Sequence, residues 1–199
     1  MGRNIHPFLK KYTMAWKVTT QPATEIFTLQ EVKDYLKVDD STEDVLISTL
    51  LQSARQAAER YLNQALITQT ITEKLDYLRL STIYLSVSPV ISVTSFEYND
   101  SQNSVQTFDA NNYIVDTFEK PARLSIAYGK TWPTTYGNIN DVTITYTAGY
   151  GSTASTVPAQ IKQAILLMLT DAYDNRQDYV KKLPTASEYL LDQYRMQVL

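Results

Sequence analysis

Residues Val142–Gly151 read VTITYTAGYG, and after six Ser/Thr-rich residues the chain resumes at Pro158 as PAQIKQAILLMLTDAYDNR. The first string alternates apolar and polar residues, the pattern of a half-buried strand. The second repeats apolar residues every three to four positions: Ile161, Ile165, Met168, Leu169, Ala172 and Tyr173 fall on one face, and Leu166 and Leu167 widen it. A strand therefore hands over to a helix buried on more than one side. Two of the chain's five glycines, Gly149 and Gly151, lie at the handover, where phosphate loops often sit. A dinucleotide loop needs a third glycine and a βαβ unit, and a P-loop needs Gly-Lys-Ser/Thr opening the helix. Neither is present. The TAGYG string also has the letters of a potassium filter, which works only among membrane-embedded helices. The remaining reading is a structural hinge, with Gly149 and Gly151 supplying backbone angles other residues resist.

Upstream of this point the period of two persists. TITEKL (70–75), STIYLSV (81–87), VISVTSFEY (90–98), NYIVD (112–116) and RLSIAY (123–128) are short and rich in Thr, Val, Ile and Tyr. Turn material such as Asn99-Asp100-Ser101 and Asp109-Ala110-Asn111-Asn112 separates them. This predicts an antiparallel sheet or small sandwich. Further upstream the period is helical. Thr28-Leu29-Gln30-Glu31 is a capping box, with Phe27 and Val32 placed as a hydrophobic staple, and the helix runs to about Val38. A second helix is expected from Asp39-Asp40-Ser41 through Leu62, with Asn63 as a left-handed cap. Ala54, Ala57 and Ala58 give it a small-residue face that another helix can approach. Downstream of the handover, Thr185 and Glu188 spell another capping box for a last helix with Ala186, Tyr189, Leu190 and Tyr194 on its apolar side.

The flanking helices are each too apolar to stand alone. The economical arrangement is an α+β fold: a bundle of about four helices (27–66 plus 156–199) interrupted by an antiparallel β-rich insertion (67–155). Residues 1–26, with Phe8, Tyr12, Trp16, two prolines and no clear period, read as an extended arm. Either it is a mobile terminus, or it orders on a neighbouring subunit with the aromatics as anchors; the residues leave both readings open.

Composition bounds the chemistry. The 199 residues contain no cysteine and one histidine, His6, so disulfides, thiolate metal sites and His clusters are ruled out. Carboxylate sets such as Asp39-Asp40 or Asp171/Asp174/Asp178 read as caps or solvated acids, no nucleophile motif appears, and no cofactor is expected. No apolar run approaches the roughly 18 residues a membrane span needs, and MGRNIHPFLKK lacks the apolar centre of a signal peptide. Net charge is −3, but residues 1–24 carry Arg3, Lys10, Lys11 and Lys17 with no acid, which leaves −7 on the rest. Such a body repels DNA phosphates rather than gripping them. Fifteen tyrosines fit ordinary sheet composition, and equally an interaction surface.

The ordered set LQEVKDYLKVDDSTEDVLISTLLQSARQAAERYLNQALITQT (29–70), YGKTWP (128–133), VTITYTAGYG and VPAQIKQAILLMLTDAYDNR (157–176) resembles the head-tail connector, or adaptor, family of tailed bacteriophages, from about Leu29 to the C-terminus. Asn63 stands where relatives often have glycine, Ile71 where many have tryptophan, and the arm is longer than usual. The resemblance implies a non-catalytic virion protein of the neck, made in the bacterial host cytoplasm. It implies a homo-oligomeric ring, commonly of twelve copies, beneath the portal protein. The ring continues the channel through which double-stranded DNA passes without specific binding, and it offers a platform to a downstream stopper or tail terminator. A ring needs two different patches per subunit. Phe8, Tyr12, Trp16, Ala54, Ala57 and Ala58 are the candidates for the subunit interface, and Tyr189, Leu190, Tyr194, Met196 and Leu199, at an apolar C-terminus without a cap glycine, for the portal contact. Two other classes remain: a β-rich module binding a saccharide on exposed Tyr and Trp132, and a metal-dependent hydrolase using the aspartates.

Overall fold

A computed structural model of the chain describes residues 15–78, 81–175 and 183–196; His6, Phe8, Tyr12, Asp178 and Leu199 lie outside the described residues. The fold is α+β, as the periods indicate. In chain order it runs β1 (Ala15–Thr20), α1 (Leu29–Leu36), α2 (Asp44–Leu62), β2 (Gln69–Leu75), β3 (Thr82–Tyr84), β4 (Val90–Asn99), β5 (Val105–Thr107), β6 (Tyr113–Asp116), β7 (Arg123–Ile126), β8 (Val142–Ala148), α3 (Ala159–Asp174) and α4 (Thr185–Asp192). Among the described residues no helix is long and apolar enough to cross a membrane.

The strands form two antiparallel sheets, one of five strands in the order β1-β2-β8-β4-β5 and one of three in the order β3-β7-β6. Strands β2 and β8 bury every second residue along their length, so one face of the large sheet is continuous core. Against it the small sheet packs Ile83, Leu124 and Tyr113, while Phe96, Phe108, Tyr113 and Trp132 meet mostly edge to face or tilted at centroid distances of 5.3–5.9 Å. Such ring pairs contribute about 0.5–1.5 kcal/mol each beyond the area they bury. A second cluster joins the helices: Ile47, Leu51, Ala54, Ala58 and Leu62 of α2 meet Ile161, Ile165, Met168 and Leu169 of α3 and Leu191 of α4.

Local expectations meet mixed outcomes. The capping box at Thr28 forms: the Glu31 carboxylate accepts the Thr28 N–H at 2.7 Å, and Thr28 Oγ1 accepts the Glu31 N–H at 3.2 Å. Asn63 adopts the left-handed cap with φ 54°. The second helix starts at Asp44 rather than at Asp39–Ser41, because the Asp40 carboxylate accepts the Thr42 N–H at 2.8 Å and closes a local turn there. The Thr185/Glu188 box does not form. Pro184 takes the cap position and Thr185 is already helical, while the Glu188 carboxylate faces the Tyr61 hydroxyl at 3.4 Å. From Ala15 onward the presumed arm is built into the fold: Ala15–Thr20 pairs with β2 as the edge strand, and Ile26 is buried among the helices. Its alternation was hidden because an edge strand, exposed along nearly all its length, needs no regular apolar face.

Candidate interaction surfaces

The glycine stretch tests the hinge reading. At Gly149, φ is 141°, and a Cβ there would stand 2.7 Å from the Ile67 carbonyl carbon and the Thr68 nitrogen. The backbone itself occupies the space a side chain would need. Three hydrogen bonds sew this close approach together: Gly149 N–H to Pro89 O at 2.9 Å, Tyr150 N–H to Leu66 O at 3.1 Å, and Thr68 N–H to Gly151 O at 2.9 Å. Gly149 and Gly151 are thus a seam between the two hydrophobic clusters, since Leu66 and Ile67 belong to the helical one and Ala65 and Ile71 to the other.

Two buried polar groups flank the seam. Arg55, 1% exposed, donates from Nε and a terminal nitrogen to the Glu25 carboxylate at 2.8 and 3.1 Å and from its other nitrogen to Glu59 at 2.7 Å. Glu59 in turn accepts the Leu66 N–H and Gln69 Nε2, both at 3.0 Å. Burial pushes the Glu59 carboxyl up, against the pull of Arg55. One cluster thereby ties the segment before α1, the helix α2 and the start of β2. In the sheet core, Glu73 is fully buried and accepts Tyr146 Oη at 2.9 Å, Ser86 N at 3.1 Å and Ser86 Oγ at 2.6 Å. Burial pushes the Glu73 carboxyl up, opposed by those hydrogen bonds, and pushes the Tyr146 hydroxyl up as well. Both are sealed from solvent by the two sheets, so neither meets a solute. Among the described residues no group of three metal-ligating side chains assembles.

The candidate interface residues separate. Ala54 and Ala58 are buried and Ala57 half-buried within the subunit's own helical core; the small-residue face admits this chain's own helices, which corrects its reading as an outer surface. Trp16 is 45% exposed on the edge strand. At the C-terminal end Tyr189 is 70% exposed, whereas Met196 is buried and donates its N–H to Leu62 O at 3.0 Å. Leu190 and Tyr194 are half-buried, and the Tyr194 hydroxyl reaches Gln160. Met196, then, serves the inside of the subunit. The Tyr61 hydroxyl donates to Asp192 at 2.5 Å, which pushes it up to about 12, and Arg195 lies over the ring at 4.8 Å. Together they clamp α4 onto α2.

Surface features that the period analysis passed over lie in turns. Phe118 is 96% exposed between β6 and β7, and Tyr128, Tyr136 and Ile139 are exposed in the 127–141 connection. The available signal was an apolar residue inside a turn string, as in Asp116-Thr117-Phe118. The buried Asp141 organises that connection, taking the Asn138 N–H at 2.8 Å and the Gly137 N–H on one oxygen and Asn99 Nδ2 on the other at 3.2 Å. Trp132, the candidate saccharide platform, lies half-buried with its ring 5.7 Å from both Phe96 and Phe108. Beside it, an open hollow of about 630 Å³ runs between Asp76–Leu78 and Trp132–Ile139.

Comparison with known proteins gives three results. The sequence model described as "Head completion protein" matches residues 25–188. No curated protein matches. Among solved structures, the chain is similar to one in the neck of an empty gene transfer agent particle computed with C6 symmetry, at 23% identity and TM-score 0.77, covering 93% of this chain and 97% of that one. It is also similar to a chain in the virion of a native gene transfer agent particle, at 23% identity and TM-score 0.78, over 92% and 96% of the two chains. A third lies in the neck of the native particle computed with C12 symmetry, at 22% identity and TM-score 0.74, over 93% and 97%. At these identities the likeness establishes the fold.

Proposed function

The chain belongs to the head completion protein family, and from that premise we propose that it is a head-tail connector of the virion neck. It forms a ring against the portal, extends the DNA channel and seats the next neck or tail protein. One observation carries this reading: the family match spans 25–188, and the same fold recurs almost end to end in chains of particle necks that carry C6 and C12 symmetry. The described surface supports it, since its buried acids are closed off and its exposed aromatics sit on turns and on α4. Its role is then one of shape and contact, without catalysis.

A ring of twelve identical copies needs heterologous contacts, and free subunits lose association entropy that a portal template offsets. The α4 end faces the portal, with Tyr189 as its exposed anchor. The acidic body lets the genome slide, because there are few cations whose counterion release would hold it. Light scattering of the chain alone and mixed with portal assemblies tests the reading. A mass gain of about twelve subunits per portal is the expected result, and no gain at micromolar concentration would remove it.

A further inference from the structure

Ring closure, which rests on the connector reading, requires one patch on each flank of the subunit, and two unexplained features fit each other. One is Phe118. A single exposed apolar residue is ordinary, but this one stands at the tip of the β6–β7 hairpin, 96% exposed, on a turn that is held rigidly. Asp116 Oδ1 accepts the Phe118 N–H at 3.0 Å, Asp116 Oδ2 accepts Arg123 Nε at 3.0 Å, and the Arg123 guanidinium reaches Glu119 at 3.6 Å. A phenyl ring is therefore presented to solvent on a preorganised mount, which lowers the entropic cost of docking it.

The other is a cavity of about 290 Å³ at the opposite edge of the large sheet, where Trp16 and Val18 of the edge strand, Ile71 and Val87 supply apolar walls. A cavity on the order of 150 Å³ already holds benzene, so a phenylalanine side chain has room. Gln69, 4% exposed, lines it with an Oε1 that has no hydrogen-bond partner; a buried acceptor left open costs free energy until a donor arrives. The charges match as well. Arg60, exposed at the cavity rim, has no described acid within ion-pair distance, and Lys17 lies beside it on β1, while the hairpin tip carries Glu119 with a 58% exposed side chain. Hairpin and cavity stand at one level of the molecule with Tyr150 between them: Lys120 Nζ sits over the Tyr150 ring at 5.1 Å, and the Tyr150 hydroxyl donates at 2.7 Å to Gln64, which lines the cavity. That placement keeps Phe118 out of its own subunit's cavity.

We propose that Phe118 is the knob of the ring interface and enters the cavity walled by Trp16, Val18, Ile71 and Val87 of the next copy, with Glu119 facing Arg60 across the rim. A chain without native cysteine allows a clean test. Thr117→Cys and Gln56→Cys, both at exposed positions beside the knob and the cavity, are introduced together in the full chain and linked with a short bismaleimide at high protein concentration. The expected product is a ladder of covalent oligomers, whose formation slows at least tenfold when Phe118→Ala is added. Glu119→Arg slows it too, and adding Arg60→Glu restores it. Linking that proceeds equally with and without Phe118, or that exceeds neither single-cysteine control, overturns the proposal. Negative-stain images of the wild-type chain in the same conditions separate the two levels: rings without the Phe118-dependent link overturn the knob alone, whereas the absence of both rings and link overturns the ring reading with it.

Discussion

At the scale of the residue, the sharpest demands fall where backbone meets backbone or where charge is buried. Gly149→Ala would drive a Cβ into the Ile67–Thr68 peptide 2.7 Å away at a φ of 141°, strain of about 1–3 kcal/mol before the clash is counted. Gly129→Ala, with φ 73° and open space around it, is the milder control. Urea unfolding of both should show the first losing at least twice the stability of the second. Glu73 makes a pH-dependent demand. Its carboxyl is raised above the ordinary value of 4.5, so the folded state binds the proton more tightly than the unfolded chain. The sign follows: its contribution is fully present below about pH 4.5 and is lost as pH rises through the folded-state value. Wild type should gain on Glu73→Gln as pH falls from 7 toward 4.5, measured by urea midpoints at each pH; a constant difference would refute the burial argument. Arg55→Met leaves Glu59 buried without its cation, and a loss of about 3 kcal/mol is expected.

At the scale of the element, helix ends decided more than helix interiors. The capping box at Thr28 was legible because Thr28 and Glu31 satisfy each other within four residues, and Thr28→Ala should cost about 1 kcal/mol in the same unfolding assay. Thr185 and Glu188 have the same spacing without the same outcome, since Pro184 already supplies a fixed φ at the start of α4 and α3 and α2 hold the helix from the side. The strands with two-residue alternation were legible where one face is core. Strands β1 and β5 were not, because both are sheet edges whose residues are almost all exposed; their pairing is set by β2 and β4. The alanines of α2 were legible as a face for close approach, but only packing could say which helix approaches.

At the scale of the molecule, a portal-facing α4 end and laterally opposed knob and cavity describe a subunit with distinct axial and tangential contacts. Tyr189→Ala should weaken binding to portal assemblies at least tenfold with an unchanged circular-dichroism melt, since the side chain is 70% exposed. It is a cleaner probe than removing residues 184–199, because Leu191 and Met196 in that stretch are core. Equal affinity of the variant would relocate the portal contact.

What the amino-acid string settled alone was whatever depends on neighbours in sequence: the two periods and their order, the helix caps at Thr28 and Asn63, the lack of cysteine chemistry, and a set of strings with a family likeness. The folded chain settled whatever depends on residues far apart: that Gly149 is a seam against Ile67 rather than a hinge, that Glu73 and Arg55 are buried charges with partners, and that Ala15–Thr20 is a strand of the sheet. The reason is physical. Periodicity and capping act over one or two turns of backbone, while burial and pairing are properties of surfaces that exist only once distant segments have met.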